Sequence, residues 1–281
     1  MDILNLKDIA ERQKEFLNNP RENIIKLNKN LKETNQQLIK ELSYGKRIEE
    51  IKLFYDFHKG YSKLIGELLK NKIISSKDFK DDIFDLKNAQ RIREVDSVLK
   101  DYFARKKEGN IDETTALGLS RIYSSQLEVI CGKFKRIIYL KYPVHKFRHL
   151  TLLDLENRLK DLEKEYFINL NLIKSTTQSL FRNKINHETT YFDPPDEIVF
   201  LDIKDKTKEI KRLTLEEIYK LLLEAMIINS VTDSVEKTLI SSFLNLLLKL
   251  DDSELEEYCR TGILTKNMKE KIEKNKPSIQ P

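Results

Sequence analysis

One short segment, Leu180-Phe181-Arg182-Asn183-Lys184-Ile185-Asn186-His187-Glu188, concentrates residue types that handle phosphate and protons. Arg182 carries a planar, permanently charged guanidinium that matches two phosphate oxygens at once. His187 titrates near neutrality and can give or take a proton. On a helix, Arg182 and Asn186 are i,i+4 neighbours, as are Asn183 and His187. Arg182 and His187, five positions apart, diverge by about 140° around the axis. One helix therefore points them to different sides of a groove, and two copies across a two-fold axis bring two Arg and two His to one cleft.

These parts suit phosphodiester cleavage by the RNA 2′-hydroxyl. One group deprotonates that hydroxyl or protonates the leaving 5′-oxygen, worth roughly 10²–10⁴-fold. Another holds the anionic phosphorane, worth several kcal/mol. DNA lacks the 2′-hydroxyl and cannot react this way. A second use of the pair stays open: Arg182 and His187 can simply complement the negative pole of a helix that ends here.

A second signal lies upstream. From Val129 to Leu153 there is no Asp or Glu, while Lys133, Lys135, Arg136, Lys141, His145, Lys146, Arg148 and His149 fall within the run. Together with Lys184, the residues Lys133, Lys135, Arg136, Lys141, His145, Lys146 and Arg148 are candidate RNA-backbone contacts. A solvated helix end and loop is the competing reading. Tyr139, Tyr142 and Phe147 interleave with the basic residues, and either stack on unpaired bases or pack as core.

Other motifs are weak. His145 and His149 have ligand spacing if helical, but no Cys or acid completes a zinc set, so no metal is expected. His58 sits among Phe54, Phe57 and Tyr61 and reads as a partly buried residue. Cys131 reads as core, and Cys259 has no His beside it to activate it. There is no Gly-rich phosphate loop and no Rossmann fingerprint, so no cofactor is expected.

The elements that must position these residues are helices. Glycine (7) and proline (6) are scarce in 281 residues, which favours long helices with short connections. The fold class expected is mainly α, a multi-helix bundle with one small β-hairpin after the motif helix. Asn19-Pro20 starts a helix carrying Leu27, Leu31, Leu38 and Leu42. A second run covers about Arg47 to Asn71, and a third begins near Ser76 and uses Val95, Leu99 and Tyr102. The break at Arg105 to Asn110 suggests a boundary. The next helix spans about Glu113 to Leu140 and stops before Pro143. Another runs from Leu152 towards His187, with a kink or break near Asn169 to Asn171. Pro194-Pro195 excludes further helix. Glu197 to Ile203 and Lys208 to Leu213 read as a hairpin around a polar turn. Thr214-Leu215-Glu216-Glu217 is a capping box for a helix through Ile228. Further helices are expected over Ser234 to Leu250 and from Ser253, with a frayed tail from Lys269. The division expected is 1–108 as a helical oligomerisation or partner-binding region, 109–232 as the domain with the site, and 233–281 as C-terminal helices.

Arg-Asn-x-Ile-x-His at the end of a long helix resembles the R-x4–6-H motif of HEPN domains (higher eukaryotes and prokaryotes nucleotide-binding). Asn183, a polar residue after the Arg, belongs to that pattern. The upstream helix with Glu128, and the hairpin and capping box after His187, are similar to the family's surroundings of the motif. The resemblance covers about Asp112 to Ile228. It implies that Arg182 and His187 are catalytic and that Asn183 orients the phosphate or the His. It also implies a metal-independent endoribonuclease acting as a homodimer, of the kind found among toxins and antiviral defence effectors. Some members of the family only bind, so a non-catalytic RNA- or nucleotide-binding module is the alternative, as is a helical protein-interaction module. A regulatory protein partner fits the N-terminal helices.

Composition sets outer bounds. Net charge is +5 and charged residues make up 35%, which permits nucleic-acid binding without requiring it. Two distant cysteines give neither a disulfide framework nor a zinc finger. The N-terminus is charged and does not read as a signal peptide. No apolar run approaches the length of a membrane span. A cytoplasmic protein is the expectation.

Overall fold

The computed structural model describes residues 18–44, 48–73, 86–142, 152–168, 170, 173, 190–201, 205 and 207–274. Among them are eight helices and one three-stranded sheet: α1 (Pro20–Tyr44), α2 (Ile48–Lys70), α3 (Leu86–Glu108), α4 (Glu113–Lys141), α5 (Leu152–Tyr166), β1 (Thr190–Asp193), β2 (Glu197–Leu201), β3 (Glu209–Thr214), α6 (Leu215–Leu247), α7 (Asp252–Thr261) and α8 (Lys266–Lys274). The fold is mainly α, as the composition demands. The chain divides into two compact units, 46–235 and the pair of segments 1–45 and 236–281.

In the larger unit the apolar spacing on each helix becomes core. Phe54, Phe57, Tyr61, Leu64, Ile65 and Leu68 recur every three or four residues along α2, and all are buried. Tyr61 stacks on Phe57 at 6.0 Å between ring centroids and meets Phe134 of α4 edge-on at 5.7 Å. Leu155, Leu159 and Leu162 of α5 are fully buried. Each such side chain contributes about 1.5–3 kcal/mol. Tyr102 of α3 is buried and stacks on Tyr219 of α6 at 6.0 Å.

Helix ends follow local chemistry. Asp112 caps α4 by accepting from the Thr115 N–H at 2.8 Å. After α2, Lys72 takes φ +57°, and its N–H and that of Ile73 return to the carbonyls of Leu69 and Leu68. After α3, Gly109 at φ +69° makes the same reverse turn. That turn is where a domain boundary was expected at 108. Both sides of it lie in the larger unit. The reason is a tight hairpin: Arg105 pairs with Asp112 at 2.7 Å, and Thr115 Oγ1 donates to Asp101 at 2.6 Å. Of the helices before Gly109, α1 lies in the smaller unit and α2 and α3 in the larger.

The expected hairpin is present as β2 and β3, and a third strand, β1, joins it antiparallel in the order β1-β2-β3. Tyr191 pairs with Val199, and Val199 with Arg212. Ile198, Val199 and Phe200 of the central strand are all buried. β1 is only four residues long and lies just before Pro194-Pro195, so its period-2 signal is too short to read.

The capping box at α6 forms as expected. Thr214 N–H donates to Glu217 Oε2 at 2.8 Å, and Glu217 N–H donates to Thr214 Oγ1 at 3.2 Å. Two helices were expected beyond it, but α6 is continuous from Leu215 to Leu247. The run Asn229 to Ser234 has poor helix propensity. It stays helical because its polar side chains find partners on α4. Asn229 Nδ2 donates to Gln126 Oε1 at 2.6 Å, and Thr232 Oγ1 accepts from Lys133 at 3.0 Å.

The smaller unit holds α1, α6 from Glu236 onward, α7 and α8. Arg21 of α1 donates to the carbonyls of Leu248 at 2.9 Å and Leu250 at 2.5 Å, and to Asp252 at 2.5 Å. It thereby satisfies carbonyls left open where α6 ends. α7 starts in a capping box at Asp251 and Glu254 and ends at Gly262, φ +68°.

Candidate functional site

Arg182, Asn183, Lys184 and His187 lie outside the described residues, as do His145, Lys146 and Arg148. What is described are the elements on either side of them. α4 ends at Lys141, and Tyr142 is the last described residue before the basic segment 143–151. α5 ends at Tyr166, and β1 begins at Thr190, three positions after His187.

The end of α5 falls a few residues before the expected break. Phe167 takes φ +51°, and the Ile168 N–H returns to the Glu163 carbonyl at 3.2 Å. The Glu163 side chain also accepts from the Leu170 N–H at 2.6 Å. Leu170 and Ile173 are fully buried. These two apolar positions beyond α5 thus still turn inward.

The acid-free run divides into two kinds of residue. Lys133 is buried, its side chain 7% exposed, and its ammonium donates to Thr232 and to the Asp233 carboxylate. It belongs to an internal pair with Asp233. Lys141 is equally enclosed, with a side chain 7% exposed. It donates to Glu165 and to the Tyr166 hydroxyl, and lies 4.4 Å from the Tyr166 ring centroid and 5.4 Å from that of Tyr142. Burial opposes its charge, but the hydrogen bonds to Glu165 and Tyr166 outweigh it and hold its pKa above the ordinary lysine value. The Lys141 contact in turn holds the Glu165 carboxyl below its ordinary range. Lys141 fastens α4 to α5 through Glu165 and Tyr166 and is not free to meet a phosphate. Lys135 and Arg136 are half-buried and remain at the surface.

Sequence distance hides these partners. Asp233 stands 100 residues from Lys133, and Glu165 stands 24 from Lys141. An absence of acids along one stretch says nothing about acids brought in by neighbouring helices.

The aromatic residues of the run follow the same division. Tyr142 is half-buried, with Lys141 and the Arg158 guanidinium over its ring, the latter at 5.2 Å. Tyr139 is half-buried, and Phe147 lies outside the described residues. Glu128 is exposed on α4. His58 is half-buried, as its aromatic neighbours imply, 3.4 Å from Ser62 Oγ and 5.9 Å from the Phe54 ring. Burial lowers its pKa. Cys131 is buried, and burial raises the Cys259 thiol above its ordinary value. Among the described residues no cluster of His, Cys, Asp and Glu is arranged to hold a metal ion, and no helix is long and apolar enough to cross a membrane.

No protein-family model, no curated protein sequence and no solved structure matches this chain.

Proposed function

We propose that this chain is a metal-independent RNA endonuclease of the HEPN type. In this reading His187 moves the proton between the 2′-hydroxyl and the leaving 5′-oxygen, Arg182 stabilises the phosphorane, and Asn183 orients the phosphate. The observation that carries the reading is the Arg182-Asn183-Lys184-Ile185-Asn186-His187 segment itself. Support comes from its setting. It is followed within three residues by a short antiparallel sheet, then by a helix opened with a capping box at Thr214 and Glu217.

With Lys133 and Lys141 held internally, the phosphate route of this reading rests on Lys135, Arg136, His145, Lys146, Arg148 and Lys184. A homodimer places two copies of the segment in one cleft. A toxin or antiviral defence effector, held in check by a protein partner, is the setting that suits such chemistry.

The test is cleavage of single-stranded RNA in the presence of EDTA by the wild type, Arg182→Ala and His187→Ala. The expected outcome is cleavage by the wild type and a loss of about 10²-fold or more in each variant. Equal cleavage by all three, or none by any, removes the enzyme reading.

A further inference from the structure

The outer face of α2 carries lysines in one line. At roughly 100° per residue, Lys52, Lys59, Lys63 and Lys70 fall within about 40° of one another around the helix axis. All four are exposed. They span 18 positions, about 27 Å at ~1.5 Å rise per residue. Lys52, Lys59 and Lys70 make no ion pair among the described residues. Some lysines elsewhere are engaged, such as Lys100 with Asp96, Lys106 with Glu216 and Lys271 with Glu254, and what sets the α2 lysines apart is their alignment on one exposed face. Asp56 and Glu67 flank the line on one side only, about 40–60° away.

Two aromatic side chains stand beside these lysines. Tyr55, one turn from Lys52 and Lys59, is 57% exposed. Phe167 is 86% exposed, and its carbonyl accepts from Lys63 Nζ at 3.4 Å, which sets it next to the line. Phe167 holds φ +51°, a backbone that L side chains adopt at a cost.

We propose that this face binds single-stranded RNA, with the lysines on successive phosphates and Tyr55 and Phe167 stacked on unpaired bases. Unpaired lysines supply charge complementarity to a polyanion, and bare aromatic faces suit bases that are not already stacked in a duplex. An anionic membrane suits it less well. The apolar side of α2, Phe54, Phe57, Tyr61, Leu64 and Leu68, is buried within the protein and has nothing to insert. The choice of RNA over DNA rests on the proposed nuclease reading. The binding surface itself does not use Arg182 or His187.

The experiment measures binding of a fluorescein-labelled oligo(U) 12-mer to the full chain across a salt series, by anisotropy. The stripe variant is Lys52→Gln/Lys59→Gln/Lys70→Gln. A charge-matched control is Lys26→Gln/Lys32→Gln/Lys208→Gln, at exposed positions elsewhere. The stripe variant is expected to bind at least ~10-fold more weakly, with a salt slope shallower by about 2, from ~0.7 per lost phosphate contact. The control is expected to stay within about twofold of the wild type. Tyr55→Ser/Phe167→Asn is expected to lose about 10-fold and with it the preference for single strand over duplex. Equal losses in stripe and control variants overturn the proposal. So does duplex bound as tightly as single strand, tighter binding to oligo(dU) than to oligo(U), or wild-type capture by phosphatidylserine vesicles in place of the oligonucleotide. If the chain also cuts RNA through His187, the stripe variant raises KM and leaves kcat unchanged, so failure of one assignment is distinct from failure of the other.

Discussion

The two units handle their internal polar groups in different ways. Where α1 meets α6 in the smaller unit the buried polar set is neutral: Asn28 Nδ2 donates to Asn245 Oδ1 at 2.6 Å, and Ser241 Oγ donates to Asn28 Oδ1 at 2.5 Å. In the larger unit α4 and α6 are joined by an ammonium and a carboxylate, Lys133 and Asp233, with Thr232 and the Gln126–Asn229 amide pair alongside. Both arrangements fix how one helix lies along another. They differ in what happens when one member is lost. A neutral amide leaves an unsatisfied dipole, whereas an ammonium left alone in a 7%-exposed position is a desolvated charge.

The largest effect should come from breaking the charged set. Asp233→Ala is expected to cost about 3 kcal/mol in urea unfolding, because it strands the Lys133 ammonium. Lys133→Met/Asp233→Leu, which removes both charges, is expected to recover most of that loss. A single variant that costs less than about 1 kcal/mol, or a double variant no better than the single, would break the comparison. In the smaller unit Asn28→Ala removes both hydrogen bonds of a residue 5% exposed, and should cost about 2 kcal/mol. Ser241→Ala, which removes one, should cost about 1 kcal/mol. If Asn28→Ala proves as damaging as Asp233→Ala, charge is not what separates the two helix contacts.

The same contrast explains what was legible in the sequence. The stripe Phe54, Phe57, Tyr61, Leu64 and Leu68 predicts α2 and its buried face, since period and burial are both local properties. The Thr214 and Glu217 box is readable for the same reason. The continuity of α6 through Asn229 to Ser234 was not readable, because it depends on Gln126 and Lys133, about 100 residues away. The acid partners of Lys133 and Lys141 were unreadable on the same ground. A charge run shows which residues are cationic but not which of them meet an acid from another helix. The α2 lysine line was present in the spacing 52, 59, 63, 70, but only the burial of the opposite face shows that it points outward.

Below these effects lies the α6 cap. Thr214→Ala removes the Oγ1 acceptor for the Glu217 N–H and should lower the stability of the larger unit by about 1 kcal/mol. Thr214→Ser, which keeps the oxygen, should restore most of it. Loss of the same size in both variants would assign the effect to packing beside β3 rather than to the cap.

The smallest effect sharpens the contrast between a titratable group that has a counter-charge and one that does not. Lys133 has Asp233, whereas half-buried His58 has, among the described residues, Ser62 and the Phe54 ring. Burial lowers the pKa of His58 below its ordinary 6.5, so the folded chain resists protonation more than the unfolded chain does. In the pH range just below 6.5 the unfolded state therefore binds more protons, and stability rises with pH there. The His58 contribution is fully present above 6.5 and is lost as pH falls from 6.5 through the lowered folded value. His58→Gln, which cannot titrate, should flatten the stability profile between pH 7 and 5 relative to the wild type, by less than the cap contributes. An unchanged slope in chemical denaturation at pH 7, 6 and 5 would mean that His58 is solvated well enough to protonate in place.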